Sequence, residues 1–433
     1  MTQNNQTVVD EQKIPEGYKK TEFGVIPNSW AINTLEYFTD EKRPICYGIV
    51  QTGPKINTGV PCLRVVDILE NKIDTENLIY TTQEISNSYK RTILKKGDLV
   101  FPLRGKIGTV GLINDELVGA NLTRGVALIA LKKSNPIFLK QLFGSNRILK
   151  QLYSSMNGSA LQEITIDTLK KFKVVMPDLI EQQKIATALS DTDALISELE
   201  KLIEKKQAIK TATMQQLLTG KTRLPEFALR EDGTPKGYKD SELGQIPEDW
   251  ELLSFSEVCT FINGRAYGLH EWEKRGTPVI RLQNLTGRGG DYYYSTLNLP
   301  AKQYCDYGDL LFMWSATFGP VIWKGQKAIY HYHIWKIVCN ENVDKDFLYL
   351  TLEDMTENLK RGSSSGGTML HVTKEIMEST LAIFPPHAEQ LRIASVLNGI
   401  IQEIELLVEK LNKLKNIKQG MMQELLTGKT RLV

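Results

Sequence analysis

The chain has 433 residues, 41% of them apolar and 24% charged, which is ordinary globular material with length for two or three domains and is neither collagen-like nor disordered. Its 53 Lys and Arg against 51 Asp and Glu leave a net charge of +2, so total charge singles out no nucleic-acid or membrane partner. With no long apolar run and a polar start at Met1–Glu11 that lacks a secretory pattern, the sequence predicts a cytoplasmic protein with no membrane partner. The five cysteines (Cys46, Cys62, Cys259, Cys305, Cys339) are odd in number and widely spaced, with no Cys-x-x-Cys, and read as reduced core thiols.

In chain order, a polar tail (1–17) leads to a start motif, Tyr18-Lys19 through Phe23-Gly24, Ile26-Pro27 and Trp30. The insert that follows, 31–180, carries 20 Lys and Arg against 14 Asp and Glu, a net of +6. Within it Asp98–Phe101 reads as a short strand, and Arg104-Gly105-Lys106-Ile107-Gly108 behind it as a phosphate-facing loop. A second basic cluster stands at Lys90-Arg91 and Lys95-Lys96. The span Ile137–Tyr153 reads as helix, and Ser154–Ser159 as a joint before a turn ending at Met176-Pro177.

From Glu181 the apolar spacing changes to alternating steps of four and three: Ile185, Leu189, Thr192, Ile196, Leu199, Ile203, Lys206, Lys210, Thr213 and Leu217. This is a heptad seam, and Gly220 is its stop. The helix is about 38 residues, or roughly 57 Å at 1.5 Å per residue. Between Glu181 and Lys221 there are six acidic and six basic residues, a face better suited to solvent or protein than to phosphates.

The chain then repeats itself. The start motif returns as Tyr238-Lys239 through Leu243-Gly244, Ile246-Pro247 and Trp250, and Glu181–Leu224 returns without a gap as Glu389–Leu432. Both helices close on the identical string Leu-Leu-Thr-Gly-Lys-Thr-Arg-Leu, and the second keeps the seam at Ile393, Leu397, Ile400, Ile404, Leu407, Leu411, Leu414, Lys418, Met421 and Leu425. One apolar stripe on so long a helix needs a partner, and two equal copies offer each other the same stripe, so the helices are expected to pair antiparallel. The second insert, 251–388, is a distant copy of the first: Gly276-Thr277-Pro278 to Leu285 resembles Gly59-Val60-Pro61 to Ile68, and Gly308-Asp309-Leu310-Leu311-Phe312 resembles Gly97–Phe101.

Its chemistry differs, with 13 basic against 15 acidic residues, a net of −2, all five histidines, and 19 aromatics against 10 in the first insert. Of Tyr292-Tyr293-Tyr294, just after Arg288-Gly289-Gly290, at least one ring must leave the core if the three lie on a strand, because neighbours alternate faces. Trp314-Ser315-Ala316-Thr317-Phe318-Gly319 takes the position of the Arg104 loop. Asp346–Leu359 reads as helix, and Arg361–Gly367 as the second joint. Both inserts read as α+β.

Catalytic signatures fail one by one. Gly220-Lys221-Thr222 imitates the end of a phosphate-binding loop, but Gln215 stands where its first glycine belongs. His331 and His333 would face one side of a strand, yet no further ligand has metal-site spacing, and His270-Glu271 lacks the second histidine of a metalloprotease helix.

Two unlike inserts, each preceded by Gly-x-Ile-Pro-x-x-Trp (Gly24–Trp30, Gly244–Trp250) and followed by Glu-Gln-x-x-Ile-Ala and a long helix, resemble the specificity (S) subunit of type I restriction-modification enzymes. The resemblance covers nearly the whole chain after about residue 18. It implies an α+β fold of two α/β target-recognition domains separated by two long helices that pair as an antiparallel coiled coil, a pseudo-twofold internal repeat. The boundaries expected are 1–17 for the tail, 18–180 for the first recognition domain, 181–222 for the central helix, 223–388 for a linker and the second recognition domain, and 389–433 for the C-terminal helix.

By the same resemblance each domain reads one half of a bipartite double-stranded DNA target, and the helices set the spacer and dock partners. Those partners are two methyltransferase subunits and two restriction subunits, which hold S-adenosylmethionine, ATP and Mg. This chain itself is implied to be non-catalytic, with no cofactor of its own. Candidate DNA-facing residues are Arg43, Tyr47, Lys90, Arg91, Arg104 and Lys106 in the first domain, and Arg265, Tyr267, Arg288, Tyr292, Trp314, Ser315 and Thr317 in the second. The alternative left open is a coiled-coil assembly scaffold that binds no DNA.

Overall fold

The computed structural model describes residues 14–69, 72–155, 163–315, 317–363 and 372–432. Most of the tail and of the two joints read at 154–159 and 361–367 falls outside the described residues, as does Ala316. The chain divides into two units, Met1–Glu200 with Glu409–Val433, and Lys201–Val408.

In the first unit a four-stranded antiparallel sheet is built from β1 (Cys46–Tyr47), β4 (Leu99–Pro102), β5 (Gly111–Leu112) and β7 (Val126–Ile129), in the order β1-β7-β4-β5. Beside it β2 (Val60–Leu63) pairs antiparallel with β3 (Ile79–Thr81) and parallel with β6 (Asn121–Leu122). The apolar run of β4 is buried on both faces, so it has no polar alternation. Leu99 and Phe101 join the core that holds Trp30, Phe138 and Leu189, while Val100 joins a second core with Leu63, Leu122 and Leu128. The segment 137–153, expected as one helix, is two, Pro136–Phe143 and Asn146–Ser154. Ser145 breaks it by starting a new cap, its hydroxyl accepting from the Ile148 amide.

The second unit repeats this plan. Strands β8 (Cys259–Asn263), β12 (Leu310–Ser315), β13 (Thr317–Ile322) and β15 (Ile334–Cys339) form an antiparallel sheet in the order β8-β15-β12-β13. The companion sheet has β9 (Thr277–Ile280) parallel to β14 (Ala328–Tyr330), flanked by β10 (Tyr293–Ser295) and by β11 (Tyr304–Cys305). Where β5 has two residues β13 has six, so Trp314, Ser315 and Thr317 to Gly319 belong to paired strands β12 and β13, with Ser315 opposite Thr317. His331 and His333 lie in the short turn from β14 to β15, not on a strand.

The long helices are α1 (Leu179–Leu217) and α2 (His387–Leu425), each 39 residues. Each starts two residues ahead of the expected Glu; in α1 the Asp178 carboxylate caps the Glu181 amide at 2.9 Å. Every seam position named above is buried or half-buried. In the first unit the pairing runs Thr192 with Met421, Asp193 with Lys418, and Glu200 with Lys415, one number falling as the other rises, hence antiparallel. In the second, Lys206 pairs with Glu403, and Met214 and Leu217 share a core with Ile393 and Leu397. The lysines that made the α1 seam polar are therefore ion-paired, Lys210 with Glu353 of the helix Lys345–Ser363.

The duplicated start motif and terminal string form a latch in each unit. In the first, the Trp30 indole donates to Glu181 at 2.9 Å, Arg431 grips the same carboxylate at 2.6 and 2.8 Å, and the Tyr18 hydroxyl donates to Gly428 O. In the second, Trp250 and Arg223 share Glu389 and Tyr238 donates to Gly220 O. Gly220 does more than stop α1. At φ +70° its missing Cβ would stand 2.5 Å from Pro247 Cδ, so the glycine lets the helix end close on the start motif.

Candidate nucleic-acid interface

In the first unit the basic candidates fall into distinct settings. Arg43 is a tether: it donates to both oxygens of Asp98 at 2.8 and 2.6 Å and to Ile93 O, with its side chain 14% exposed. Asp98 in turn accepts from the Lys95 amide, and so stiffens the turn into β4. Tyr47 is 49% exposed. The exposed pair Lys90 and Arg91 sits on the 3-10 turn Lys90–Thr92, which packs beside β1, so these three candidates come together. Arg104 and Lys106 are exposed beyond β4. Arg104 lies against Gly125, which also faces Val65, and Lys106 lines a cavity with Lys140, Tyr153, Asp193 and Lys418.

The second unit concentrates aromatic rings. The Tyr267 ring stacks on Trp272 at 4.9 Å, and Trp272 meets Tyr293 at 4.6 Å and His331 at 5.8 Å. Through the turn His331-Tyr332-His333 this group continues to Trp314, whose indole donates to Tyr332 O at 2.8 Å. Arg265 lies 4.3 Å over the Tyr267 ring and is ion-paired with Glu271, which holds the guanidinium above its ordinary pKa and the carboxyl below its own. Burial holds the His331 imidazole down at about 4, with His333 and Arg281 adding repulsion. Ser315 is buried, Thr317 and Tyr292 are half-buried, the latter packed on a core cluster that holds Ile280, Leu311 and Tyr330, and Arg288 is exposed.

Arg281, Trp272 and His331 belong to this cluster but were not among the candidates. A signal for Arg281 was present, since the matched strings Gly59–Ile68 and Gly276–Leu285 put an arginine at the same place, Arg64 and Arg281, just after β2 and β9. The approach of chain segments here is close in both copies: a Cβ on Gly264 would meet His331 O at 2.2 Å, and one on Gly48 would meet Leu122 O at 2.0 Å. Among the described residues no group of three or more His, Cys, Asp or Glu could hold a metal, all five cysteines are free thiols, and no helix is long and apolar enough to cross a membrane.

The fold and its duplicated latch define a class, a tandem of two mixed-sheet domains in which each long helix contributes to both units. Residues 53–211 and 247–416 match the type I restriction modification DNA specificity domain, and the chain belongs to that family. It is 29% identical to a Methanocaldococcus jannaschii protein named "Putative type I restriction enzyme MjaX specificity subunit", over 96% of this chain and 97% of that one. The type I restriction enzyme EcoBI specificity subunit of Escherichia coli is 29% identical over 196 residues, 45% of this chain and 41% of that protein. Among solved structures, the type I restriction-modification S subunit from M. genitalium has the same fold, with a TM-score of 0.54 at 14% identity, covering 92% of this chain and 96% of that one.

Proposed function

We infer that this chain is the sequence-reading subunit of a type I restriction-modification complex, each unit reading one half of a bipartite DNA target and the paired helices setting the spacer. The observation that carries this is the duplication: one domain plan occurs twice, with the same strand order in its antiparallel sheet and the same latch, but with unlike surfaces, basic loops in one copy and an aromatic-arginine cluster in the other. A scaffold that needed two equivalent docking domains would have no use for such divergence. The partners are two methyltransferase subunits docked on the helices, and two restriction subunits. S-adenosylmethionine, ATP and Mg belong to those partners, and this chain recognises without catalysing.

Sequencing the methylated sites of a host with and without the chain tests this. A split adenine-methylation motif that disappears with the chain is expected. An unchanged methylome would leave the scaffold in its place.

A further inference from the structure

The same arginine follows the same strand in both units, but its charge is handled differently. In the first unit Arg64 turns back on Asp67, its Nε and Nη2 donating to the carboxylate at 3.1 and 2.7 Å, with Nη2 also on Asn77 O. The Asp67 carboxylate also accepts from the Arg64 amide, and in the second unit Asn284 makes that backbone contact, accepting from the Arg281 amide at 2.9 Å. Asn284 has no charge to offer, and its amide nitrogen is spent on Gly289 O and Asp291 O.

Among the described residues no carboxylate pairs with Arg281, and its buried Nε has no hydrogen-bond partner. The Gln283 amide oxygen accepts from Nη1 at 3.2 Å and also from Nη2 in the orientation that satisfies both groups. The guanidinium is positioned by rings instead, 4.2 Å over Tyr293 and 5.8 Å from Trp272. A half-buried cation held against aromatic faces, with a neutral amide oxygen on it rather than a carboxylate, keeps its charge and one further N–H on each terminal nitrogen, a fork that can take an acceptor pair. Guanine supplies a matching acceptor pair, O6 and N7, on its major-groove edge.

We propose that Arg281, held over Tyr293 and Trp272, is a specificity-determining residue that reads a guanine in the half-site of the second unit. This rests on the DNA-recognition reading above. It also gives the acidic-leaning insert a base contact that does not depend on general attraction to phosphates.

The test uses the full chain expressed with the methyltransferase subunits of its own system, with methylated motifs read by genome sequencing. The unaltered chain is expected to require a guanine, on one strand or the other, at a position of one half-site. Arg281→Lys keeps the charge but loses the fork, and Gln283→Glu keeps Arg281 but places a carboxylate against it with no change of shape. Both should relax that single position by roughly tenfold to a hundredfold, leaving the other half-site and the spacer unchanged. Because Gln283→Glu removes no packing atom, an effect there cannot be put down to loss of folding. An unaltered motif in both variants overturns the assignment while leaving DNA recognition intact, and so does an even loss of methylation at all sites, the mark of a phosphate contact. The absence of any chain-dependent motif with the unaltered chain overturns DNA recognition itself, and this assignment with it.

Discussion

Glu181 and Glu389 are carboxylates with almost no exposure, each shared by an indole and an arginine. A buried ion pair adds little over an apolar pair, but removing one partner strands the other charge. Glu389→Ala is thus expected to cost about 3–5 kcal/mol, read from urea unfolding. Arg431→Ala should cost less than Arg223→Ala, because the Arg431 side chain is 24% exposed against 7% for Arg223. His331 gives a pH dependence. Unfolded histidine binds a proton near about 6.5, while the folded site resists it down to about 4. Between these values the unfolded chain holds more protons, so stability is full above about 6.5 and declines as pH falls towards about 4. His331→Phe should flatten that part of the profile of melting temperature against pH.

At the scale of the element, the helices owe their length to the heptad and their ends to the latch. Gly220→Ala puts a Cβ into the left-handed conformation and against Pro247, and is expected to destabilise by about 2 kcal/mol or more, seen as a lower urea midpoint. The strands explain which elements were legible. The Gly-Asp-Leu-x-Phe repeat marked β4 and β12, since an apolar run behind a turn residue reads as a buried strand whatever surrounds it. The break at Gly144-Ser145 was not legible, because an apolar helical period continues across it and only the Ser145 cap interrupts it. The pairing of β12 and β13 was likewise missed: a loop in one copy and six paired residues in the other begin with similar strings.

At the scale of the molecule, the −2 balance of the second insert and the neutral helix faces leave the excess of positive charge in the first insert. The chain alone is expected to bind DNA weakly, and much more tightly once methyltransferase subunits join, as read by fluorescence anisotropy over a salt series. Deleting one heptad from each helix shortens the pair by roughly 10 Å, about three base-pair steps at 3.4 Å, and a methylome should then show a spacer shorter by about that number.

The sequence by itself determined the duplication, the antiparallel helix pair and the family, because repeats and heptads are local patterns that survive without knowledge of neighbours. Among the candidate residues, it marked the basic pair Lys90 and Arg91, and the structure leaves both exposed. Only the tertiary structure decided that Arg43 is bound to Asp98, that Arg64 is neutralised by Asp67, and that its counterpart Arg281 is left among aromatic rings. Whether a charge is tied up or free depends on which side chains the fold brings within about 3–4 Å of it, and distance along the chain carries no record of that.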